Sequence, residues 1–317
     1  MLSKIFFETL CQKYNLGILK RYSRIPLGLI NAKYLLETNK GKYVVRISVR
    51  SAKQLAFEIA LLNHVKSLPV PQLKFDKQEN FINFYKRKPF IVYKYIEGGN
   101  PKKITTNLIK QIARFQACFH KLGFSFKKNI DREPYTYNLP PAKIKRMEKM
   151  IIKKTPKIYY KKYFVIRNIL LNIKLPKNLP SGPIHVDIKP ENTLIKNNKL
   201  SGILDFDNSY IGPYLIDIGK TLTWYCIKNK KINWSYVKLF LKEYSKYRSF
   251  ENCEKNNIED IIKHAIASHI FIDYYKLTRN IIPLSYLKML LKEFYPVLEV
   301  INNIEKKKAS KITYPRN

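Results

Sequence analysis

Apolar and polar residues along the first third of the chain follow patterns that predict a helix, a set of strands and a second helix. Two short runs rich in β-branched residues flank Asn39-Lys40-Gly41, which is typical of a hairpin turn. A later segment carries apolar residues at helical spacing and stops before Pro69. We therefore predict helices over residues 3–14 and 53–66, and strands over 34–38, 42–49, 81–85 and 90–95.

Beyond Glu97-Gly98-Gly99 the pattern becomes mostly helical. Residues 106–122 carry apolar side chains at steps of three and four, as one buried helix face requires, and the tail from about residue 220 has the same character. Antiparallel strands followed by helices predict an α+β fold in two lobes. We expect a small sheet-containing N-terminal lobe over residues 1–97 and a larger, mainly helical C-terminal lobe over 98–317.

The composition of the 317 residues excludes several classes of protein. A hydrophobic fraction of 45% with 13% aromatic residues supplies a packed core, which excludes wholesale disorder. No run reaches the roughly 18 apolar residues that a membrane helix needs, and Glu8 interrupts the region that a signal peptide keeps apolar. The four cysteines lie far apart, which fits a reducing compartment. We therefore expect a cytoplasmic protein without membrane association.

The net charge of +37, from 60 basic against 23 acidic residues, has two interpretations. A nucleic-acid-binding protein carries such an excess, but nucleic-acid recognition favours arginine and a concentrated patch. Here 48 of the basic residues are lysines spread along the whole chain, and asparagine, isoleucine and tyrosine are abundant too. Because these four residue types share AT-rich codons, we favour a compositional origin and do not expect nucleic acid as a partner.

The most informative segment is an H-x-D-x-x-x-x-N motif at residues 185–192, followed by D-F-D at 205–207. Between them, residues 193–196 and 200–204 read as two strands that turn at 197–198. A hairpin with that turn returns Asn192 and Asp205 to the same open end. Asp187 lies in the loop that leads into this end. Two carboxylates and a carboxamide are therefore expected to converge.

Phosphoryl transfer requires a set of this kind. Its transition state needs an oriented hydroxyl and neutralisation of the triphosphate charge by Mg²⁺, which prefers hard oxygen ligands and keeps several waters. These requirements assign Asn192 and Asp205 to the metal and leave Asp187 to accept the proton of the substrate hydroxyl. The alternative is that these side chains only cap turns and end a strand.

The motifs resemble those of the aminoglycoside-phosphotransferase-like kinase superfamily, whose small-molecule kinases share a two-lobed, protein-kinase-like fold. Its homoserine kinase branch has a G-x-x-N-x-x-Y segment after an N-terminal helix, and residues 28–34 match it. A Leu-x-x-Trp-Cys-like helix follows the metal strand in that branch, and residues 222–226 resemble it. The resemblance extends from about residue 13 to about residue 279 and implies a kinase of this fold.

Two residues of the N-terminal part indicate a buried ion pair. Arg46 lies on the opposite face of its predicted strand from Val45 and Ile47, and Glu58 falls on the apolar face of the helix over 53–66, where an unpaired carboxylate is costly. A pair between them satisfies both side chains. The resemblance implies that this pair replaces the lysine–glutamate pair of kinases, with a forked guanidinium in place of an ammonium. The alternative is a surface arginine and a glutamate that reaches solvent from the helix edge.

The resemblance also implies the rest of the nucleotide site. Tyr93 and Tyr95 belong to the connection that offers backbone groups to adenine, and the loop with Gly28 and Asn31 covers the phosphates. Lys189 occupies the place of a kinase lysine that contacts the transferred phosphate, although a solvated loop lysine is the alternative.

The predicted function is phosphorylation of a small-molecule hydroxyl by ATP with Mg²⁺. Only nine residues separate Asp207 from Asp217, which leaves no activation segment to dock a peptide and disfavours a protein kinase. Asp217 itself is expected to cap the following helix. The resemblance implies L-homoserine as acceptor and O-phospho-L-homoserine as product, a step of threonine biosynthesis. Choline and aminoglycosides are alternative acceptors, and a nucleic-acid-binding protein on a decayed kinase scaffold is the alternative outside catalysis.

Overall fold

The computed structural model describes residues 2–26 and 31–310, with the backbone alone over 304–310. Its N-terminal part is built from helices α1 (Lys4–Lys13) and α2 (Ala52–His64) and from strands β1 (Leu19–Ile25), β2 (Ala32–Thr38), β3 (Gly41–Ile47), β4 (Leu73–Lys74), β5 (Asn83–Tyr85) and β6 (Lys88–Lys94). The strands form one antiparallel sheet in the order β1-β2-β3-β6-β4, with β5 also paired to β6.

The two faces of this sheet bury different helices, because successive residues of a strand point to opposite sides. Val45 packs with Phe7 and Leu10 of α1 in one core. Its neighbour Val44 packs with Leu55 of α2 in another. Helix α2 begins at a capping box in which Ser51 and Gln54 satisfy each other's backbone amides, as the start of an amphipathic helix favours.

The remainder of the chain is mainly helical. Its helices are α3 (Thr106–Gly123), α4 (Pro141–Lys154), α5 (Tyr160–Asn172), α6 (Tyr214–Cys226), α7 (Trp234–Tyr244), α8 (Asn252–Lys255), α9 (Ile258–Thr278), α10 (Leu284–Glu293) and α11 (Tyr295–Ser310). Three antiparallel pairs interrupt them: β7 (Ser181–Ile184) with β10 (Tyr210–Pro213), β8 (Thr193–Lys196) with β9 (Lys199–Ile203), and β11 (Ile227–Lys228) with β12 (Lys231–Ile232).

Helices α6 and α9 form the centre of the helical part. All residues of α6 from Tyr214 to Thr223 are buried, and α9 is buried along most of its length. Gly219 permits the close approach of the two helices, because a Cβ atom there would lie 2.8 Å from the carbonyl oxygen of Ile261. A larger residue would push α6 away from α9 and so move the loops that α6 supports.

The connection from the sheet to the helices is tied to the β8–β9 hairpin. Gly99 exchanges two backbone hydrogen bonds with Ile195, of 3.0 and 2.9 Å. The preceding residue, Gly98, has φ of +143°, and a Cβ atom there would lie 2.5 Å from Ser201 Oγ. A glycine is therefore required at this position both by the backbone conformation and by the lack of space.

The predicted fold class is confirmed: an antiparallel-sheet region precedes a mainly helical one. The helices expected over 3–14, 53–66 and 106–122 are observed with shifts of one or two residues at their ends, and the hairpin turn at 39–41 is observed as well. Strands β1, β4, β7, β10, β11 and β12 were not predicted. No helix of the described ranges is long and apolar enough to span a membrane, and all four cysteines are free.

Candidate active site

The β8–β9 hairpin places Asn192 and Asp205 side by side, as predicted. Thr193 pairs with Ile203, and the backbone amide of Leu204 donates to the carbonyl oxygen of Asn192 at 2.8 Å. Asp205 then adopts φ of +71°, an uncommon conformation for a residue with a side chain. Because the backbone turns at Asp205, its carboxylate does not continue along the direction of β9.

Asp187 joins this end of the hairpin through Asn192. The side-chain amide of Asn192 donates to both the carbonyl oxygen and Oδ2 of Asp187, each at 2.9 Å. Lys189 Nζ lies 3.0 Å from the other carboxylate oxygen of Asp187. Because the NH₂ group of Asn192 is directed at Asp187, its Oδ1 faces the other way and remains an acceptor for a cation.

His185 braces the loop that carries Asp187. Its Nδ1 accepts the backbone amide of Asp187 at 3.2 Å, so the proton of the neutral ring is on Nε2, which donates to the carbonyl oxygen of Leu204 at 3.1 Å. The imidazole thus connects the loop to the end of β9.

Asp217 fixes the same loop through hydrogen bonds to its backbone. Its two oxygens accept the backbone amides of His185 at 3.2 Å and Val186 at 2.6 Å, and Oδ2 also accepts from His120 Nε2 at 2.9 Å. The prediction that Asp217 caps a helix is wrong, because α6 begins after Pro213 without a side-chain cap. Burial raises the pKa of Asp217, but the hydrogen bond and charge of His120 outweigh it, and the pKa lies below its usual value.

The contact with His120 continues into a buried chain of polar side chains. His120 Nδ1 and the hydroxyl of Tyr244 lie 2.7 Å apart, and Arg248 donates to the same hydroxyl at 3.1 Å. Arg248 is paired in turn with Glu254 through two hydrogen bonds of 3.0 and 3.1 Å. Each member satisfies the next, which is the condition for polar groups to be tolerated inside a core.

Asp205 lies between two cations of the sheet. Lys33 Nζ is 3.5 Å from its Oδ2 and Arg46 is 4.0 Å from its Oδ1. Burial raises the pKa of Asp205, yet the charges of Lys33 and Arg46 bring it below its usual value, so the group is an anion. Oδ1 is buried and accepts no hydrogen bond within the part of the chain that the structure describes.

This orphaned oxygen bears on whether the site suits Mg²⁺. A buried carboxylate oxygen without a donor is costly unless a cation meets it. Asn192 offers a hard oxygen beside it, and the pair forms the small oxygen set that Mg²⁺ uses together with substrate phosphates. The described residues hold no group of three or more His, Cys, Asp and Glu arranged as metal ligands. The donor set fits a metal that arrives with a phosphate ligand.

The predicted ion pair between Arg46 and Glu58 is confirmed. The guanidinium donates two hydrogen bonds of 2.8 and 2.5 Å to the two carboxylate oxygens, and both side chains are at most 5% exposed. The bidentate geometry fixes the plane of the guanidinium. It leaves the Nη1 side of Arg46 turned towards Asp205.

Asn31 and Asp207 form a second contact between sheet and hairpin. Asn31 donates to Asp207 Oδ2 at 2.9 Å and accepts the backbone amide of Val49 at 3.1 Å. Arg50 approaches the same carboxylate at 3.8 Å. Burial, with the nearby charge of Asp205, raises the pKa of Asp207 to about 6. Gly28 lies outside the described residues.

Tyr93 and Tyr95 lie at the end of β6. Tyr93 is buried against α2 and pairs with Val44 across the sheet. The backbone amide of Tyr95 donates to the carbonyl oxygen of Lys42 at 3.0 Å. That donor is therefore occupied, and the free backbone groups of this connection begin beyond it.

The sequence of residues 21–234 matches the phosphotransferase enzyme family, which is more than half of the chain. The chain belongs to the phosphotransferase enzyme family. Among curated relatives, the homoserine kinase of Parvibaculum lavamentivorans is 21% identical over 258 residues, which cover 78% of each chain. The homoserine kinase of Afipia carboxidovorans is 25% identical over 250 residues, which cover 76% of this chain and 75% of the relative.

A solved member of the same fold is an amicoumacin kinase in complex with AMP-PNP, Ca²⁺ and amicoumacin. It superposes with a TM-score of 0.71 at 12% identity and covers 96% of this chain and 94% of its own. At that identity the likeness concerns the fold alone. It supports the α+β fold of this phosphotransferase family member, in which an antiparallel sheet precedes the helices.

Sequence reasoning missed Lys33 as part of the site, although a signal for it was present. Lys33 directly precedes the strand predicted over residues 34–38, and the structure extends that strand so that Lys33 pairs with Arg46. Two like charges facing each other across a sheet are unfavourable unless an anion lies between them. Asp205 supplies that anion. The roles of Asp217 and His120 left no comparable local signal.

Proposed function

We propose that this phosphotransferase family member is a kinase that transfers the γ-phosphoryl group of ATP to the hydroxyl of L-homoserine. The product is O-phospho-L-homoserine, an intermediate of threonine biosynthesis, and we expect the reaction in the cytoplasm. The observation that carries the proposal is the convergence of Asp187, Asn192 and Asp205 at one end of the β8–β9 hairpin. Residues 1–97 would form the nucleotide-binding lobe and residues 98–317 the catalytic and acceptor-binding lobe.

The nucleotide would bind between the sheet and the hairpin. Arg46, held in orientation by Glu58, presents its guanidinium towards Asp205 and would bind phosphate oxygens. Asn31 donates to Asp207, and the segment with Gly28 would cover the phosphates. The connection around Tyr93 and Tyr95 would face the adenine, with the backbone groups that follow Tyr95 as the free partners.

Asn192 and Asp205 would hold Mg²⁺, which neutralises triphosphate charge when bound. The role of Asp187 is to orient the acceptor. Its carboxylate accepts the hydroxyl proton while the hydroxyl oxygen forms a bond to the γ-phosphorus. The bond from that phosphorus to the β–γ bridging oxygen breaks, and ADP leaves. Lys189, 3.0 Å from Asp187, would contact the transferred phosphoryl group.

Two arguments support homoserine over the other acceptors of the superfamily. Curated relatives that match three quarters of the chain are homoserine kinases. An aminoglycoside is a polycation, and a chain with 23 acidic against 60 basic residues is poorly suited to bind one. Strand β10 ends directly before α6, so the chain has no activation segment for a peptide acceptor.

The proposal is tested by ADP release with homoserine, choline and an aminoglycoside as parallel acceptors. We expect turnover with homoserine to exceed that with the other two by at least 10-fold in kcat/KM. Preference for choline or the aminoglycoside would leave the kinase chemistry standing and reject homoserine. Absence of turnover on all three, together with salt-sensitive binding to DNA at physiological ionic strength, would support the nucleic-acid-binding alternative instead.

A further inference from the structure

A cluster of polar side chains lies between α6 and α9. Lys220 and Trp224 are four residues apart on α6, and His269 and Asp273 are four apart on α9, so each pair shares one helix face. Lys220 Nζ contacts His269 Nδ1 and lies 3.9 Å from the centre of the Tyr137 ring. The ring centres of Trp224 and His269 are 5.5 Å apart.

Several polar groups of this cluster lack the partners that buried groups normally have. Lys220 is 1% exposed, and no carboxylate of the described residues lies within ion-pair distance of its Nζ. The indole N–H of Trp224 has no acceptor among them. Burial lowers the pKa of Lys220 well below its usual value, although the charge of Asp273 opposes this effect.

Asp273 lies between two basic side chains and still lacks hydrogen bonds. It is 1% exposed, and its oxygens are 3.2 Å from His269 Nε2 and 2.9 Å from Lys276 Nζ. Neither oxygen accepts a hydrogen bond of favourable geometry from the residues described. A buried carboxylate without hydrogen bonds and a buried indole N–H without an acceptor are expensive unless a ligand supplies the missing partners.

The cluster lies next to the proposed catalytic loop. Lys189 Nζ, which contacts Asp187, is 5.5 Å from the centre of the Trp224 ring. One face of the Trp224 ring therefore lies against Lys189 of the catalytic loop, and the ring also contacts His269 of the cluster.

We propose that Lys220, Trp224 and Asp273 recognise the amino-acid end of the acceptor. Lys220 and the indole N–H donate to its carboxylate, and Asp273 accepts from its ammonium group. His269 acts as a positioning residue that separates Lys220 from Asp273 and keeps them from neutralising each other. The inference rests on the proposed function, because the acceptor hydroxyl must then reach Asp187.

The size of homoserine suits this arrangement. Two methylene groups separate its hydroxyl from the carbon that carries the ammonium and carboxylate groups. The indole of Trp224 contacts both Lys189, the partner of Asp187, and His269, and it offers an apolar surface to those methylenes. The carboxylate of the zwitterion thereby meets Lys220 and Trp224, and its ammonium group meets Asp273. An acceptor that lacks one of these charges leaves the corresponding protein group unpaired.

The test compares three acceptors that differ by one charge each. L-homoserine carries both groups, 3-amino-1-propanol lacks the carboxylate, and 4-hydroxybutyrate lacks the ammonium. Lys220→Met should raise KM for homoserine and 4-hydroxybutyrate at least 10-fold and leave that for 3-amino-1-propanol within 3-fold. Trp224→Phe, which keeps the ring and removes the N–H, should act on the same two acceptors by about 3- to 10-fold, the loss of one hydrogen bond.

Asp273→Asn should show the reverse selectivity. KM for homoserine and 3-amino-1-propanol should rise at least 10-fold, and KM for 4-hydroxybutyrate should not. Lys238→Met, an exposed lysine on α7, is the matched control and should change none of the three constants. Melting curves identify any variant that fails to fold, in which case Trp224→Phe still tests the carboxylate contact.

The outcomes separate the inference from the function on which it rests. Wild-type turnover of homoserine with variants that affect all three acceptors equally would overturn the inference and leave the function intact. Absence of homoserine turnover by the wild type would reject the function. Calorimetric binding of 3-amino-1-propanol and 4-hydroxybutyrate, in the presence of AMP-PNP, would then decide the inference. Selective loss of one ligand in each variant supports it, and equal affinities in wild type and variants overturn it.

Discussion

The carboxylate of Asp217 accepts the backbone amide of Val186 at 2.6 Å, and Val186 has φ of +60°. The left-handed conformation is costly for a β-branched residue and persists only where its surroundings enforce it. Asp217 supplies that enforcement from the first turn of α6, with His120 as its own partner. The conformation of the loop that carries Asp187 therefore depends on a carboxylate 30 residues further along the chain.

Asp217→Asn should impair this loop more than it impairs the fold as a whole. An amide presents only one acceptor oxygen, so one of the two backbone amides or His120 loses its bond. We expect kcat to fall at least 10-fold and the free energy of unfolding by about 2–4 kcal/mol, because a buried group is left unpaired. Steady-state kinetics and urea denaturation measure the two effects. Glu259→Gln, at an exposed position in the first turn of α9, should alter neither. A fully active, destabilised Asp217→Asn protein would contradict the role in the loop.

Arg46 and Glu58 allow stability and activity to be separated. Arg46→Met leaves a buried, unpaired carboxylate and should cost about 3–5 kcal/mol of unfolding free energy, whereas the double variant Arg46→Met with Glu58→Met should recover most of it. Neither variant should recover affinity for ATP, because both lack the guanidinium. Denaturation and the KM for ATP distinguish the two quantities. Lys246→Met, at an exposed pair on the surface, should leave both unchanged. A double variant with normal KM for ATP would exclude Arg46 from the nucleotide site.

Asp187→Asn tests the proposed base. Removal of a positioned general base costs about 10²–10⁴-fold in rate, and the effect should appear in kcat with little change in the KM for either substrate. Glu191→Gln, an exposed acid in the same loop, is the matched control and should keep normal turnover. Near-normal kcat in Asp187→Asn would reject the assigned chemistry, whichever acceptor the enzyme uses.

Removal of divalent metal tests Asn192 and Asp205. Turnover should disappear in excess EDTA and return when Mg²⁺ is added. Asp205→Asn should raise the Mg²⁺ concentration for half-maximal rate at least 10-fold, because a charged hard ligand becomes a neutral one. Asp131→Asn, at an exposed position, should leave the Mg²⁺ titration unchanged. Full turnover in EDTA would contradict the assignment of these two residues.

Three buried histidines should make the stability depend on pH. Burial lowers the pKa of His264 and of His269 to about 4 and that of His120 below its usual value. Between pH 6.5 and about 4 the unfolded chain binds protons that the folded protein does not, so stability falls as the pH falls. Each group contributes a slope of up to about 1.4 kcal/mol per pH unit.

The slope of the unfolding free energy against pH, compared between variants, distinguishes the buried histidines from other acid-sensitive groups. His264→Gln should reduce it by the contribution of one histidine, whatever the variant does to stability at pH 7. His64→Gln, at an exposed position of α2, should leave it unchanged. Urea denaturation at half-unit steps of pH provides the measurement. A slope that is the same in wild type and His264→Gln would show that His264 does not contribute.

The sequence was sufficient where structure follows from local pattern. The β8–β9 hairpin was located to within one residue, because its turn and the D-F-D motif bound it on both sides. The pair of Arg46 and Glu58 was found because a charged residue on an apolar helix face requires a partner. Each of these inferences depends on residues that are close in sequence or on a single strand register.

The missed features depend on packing between distant segments. Strands β7 and β10 are four residues each and pair only with each other, so neither has the length that makes a strand recognisable. His120 and Asp217 are 97 residues apart and meet because α3 and α6 pack against the same loop. Lys220 carried a signal that was not used, because a lysine within a largely apolar helix is unusual. The structure buries it among ten consecutive buried residues, and lysines are rarely buried without a partner.

The backbone pairing of Gly99 with Ile195 has a mechanical consequence. The segment that leaves the sheet is fastened to the β8–β9 hairpin immediately after Gly98, and so it travels with the helical part of the molecule. Any rotation of the sheet against the helices must be absorbed by the three residues between Lys94 and Gly98. These residues border the adenine side of the proposed nucleotide site. Such a rotation would therefore pivot at the place where the nucleotide base binds. Opening of the cleft would then widen the phosphate end while the base end stays nearly stationary.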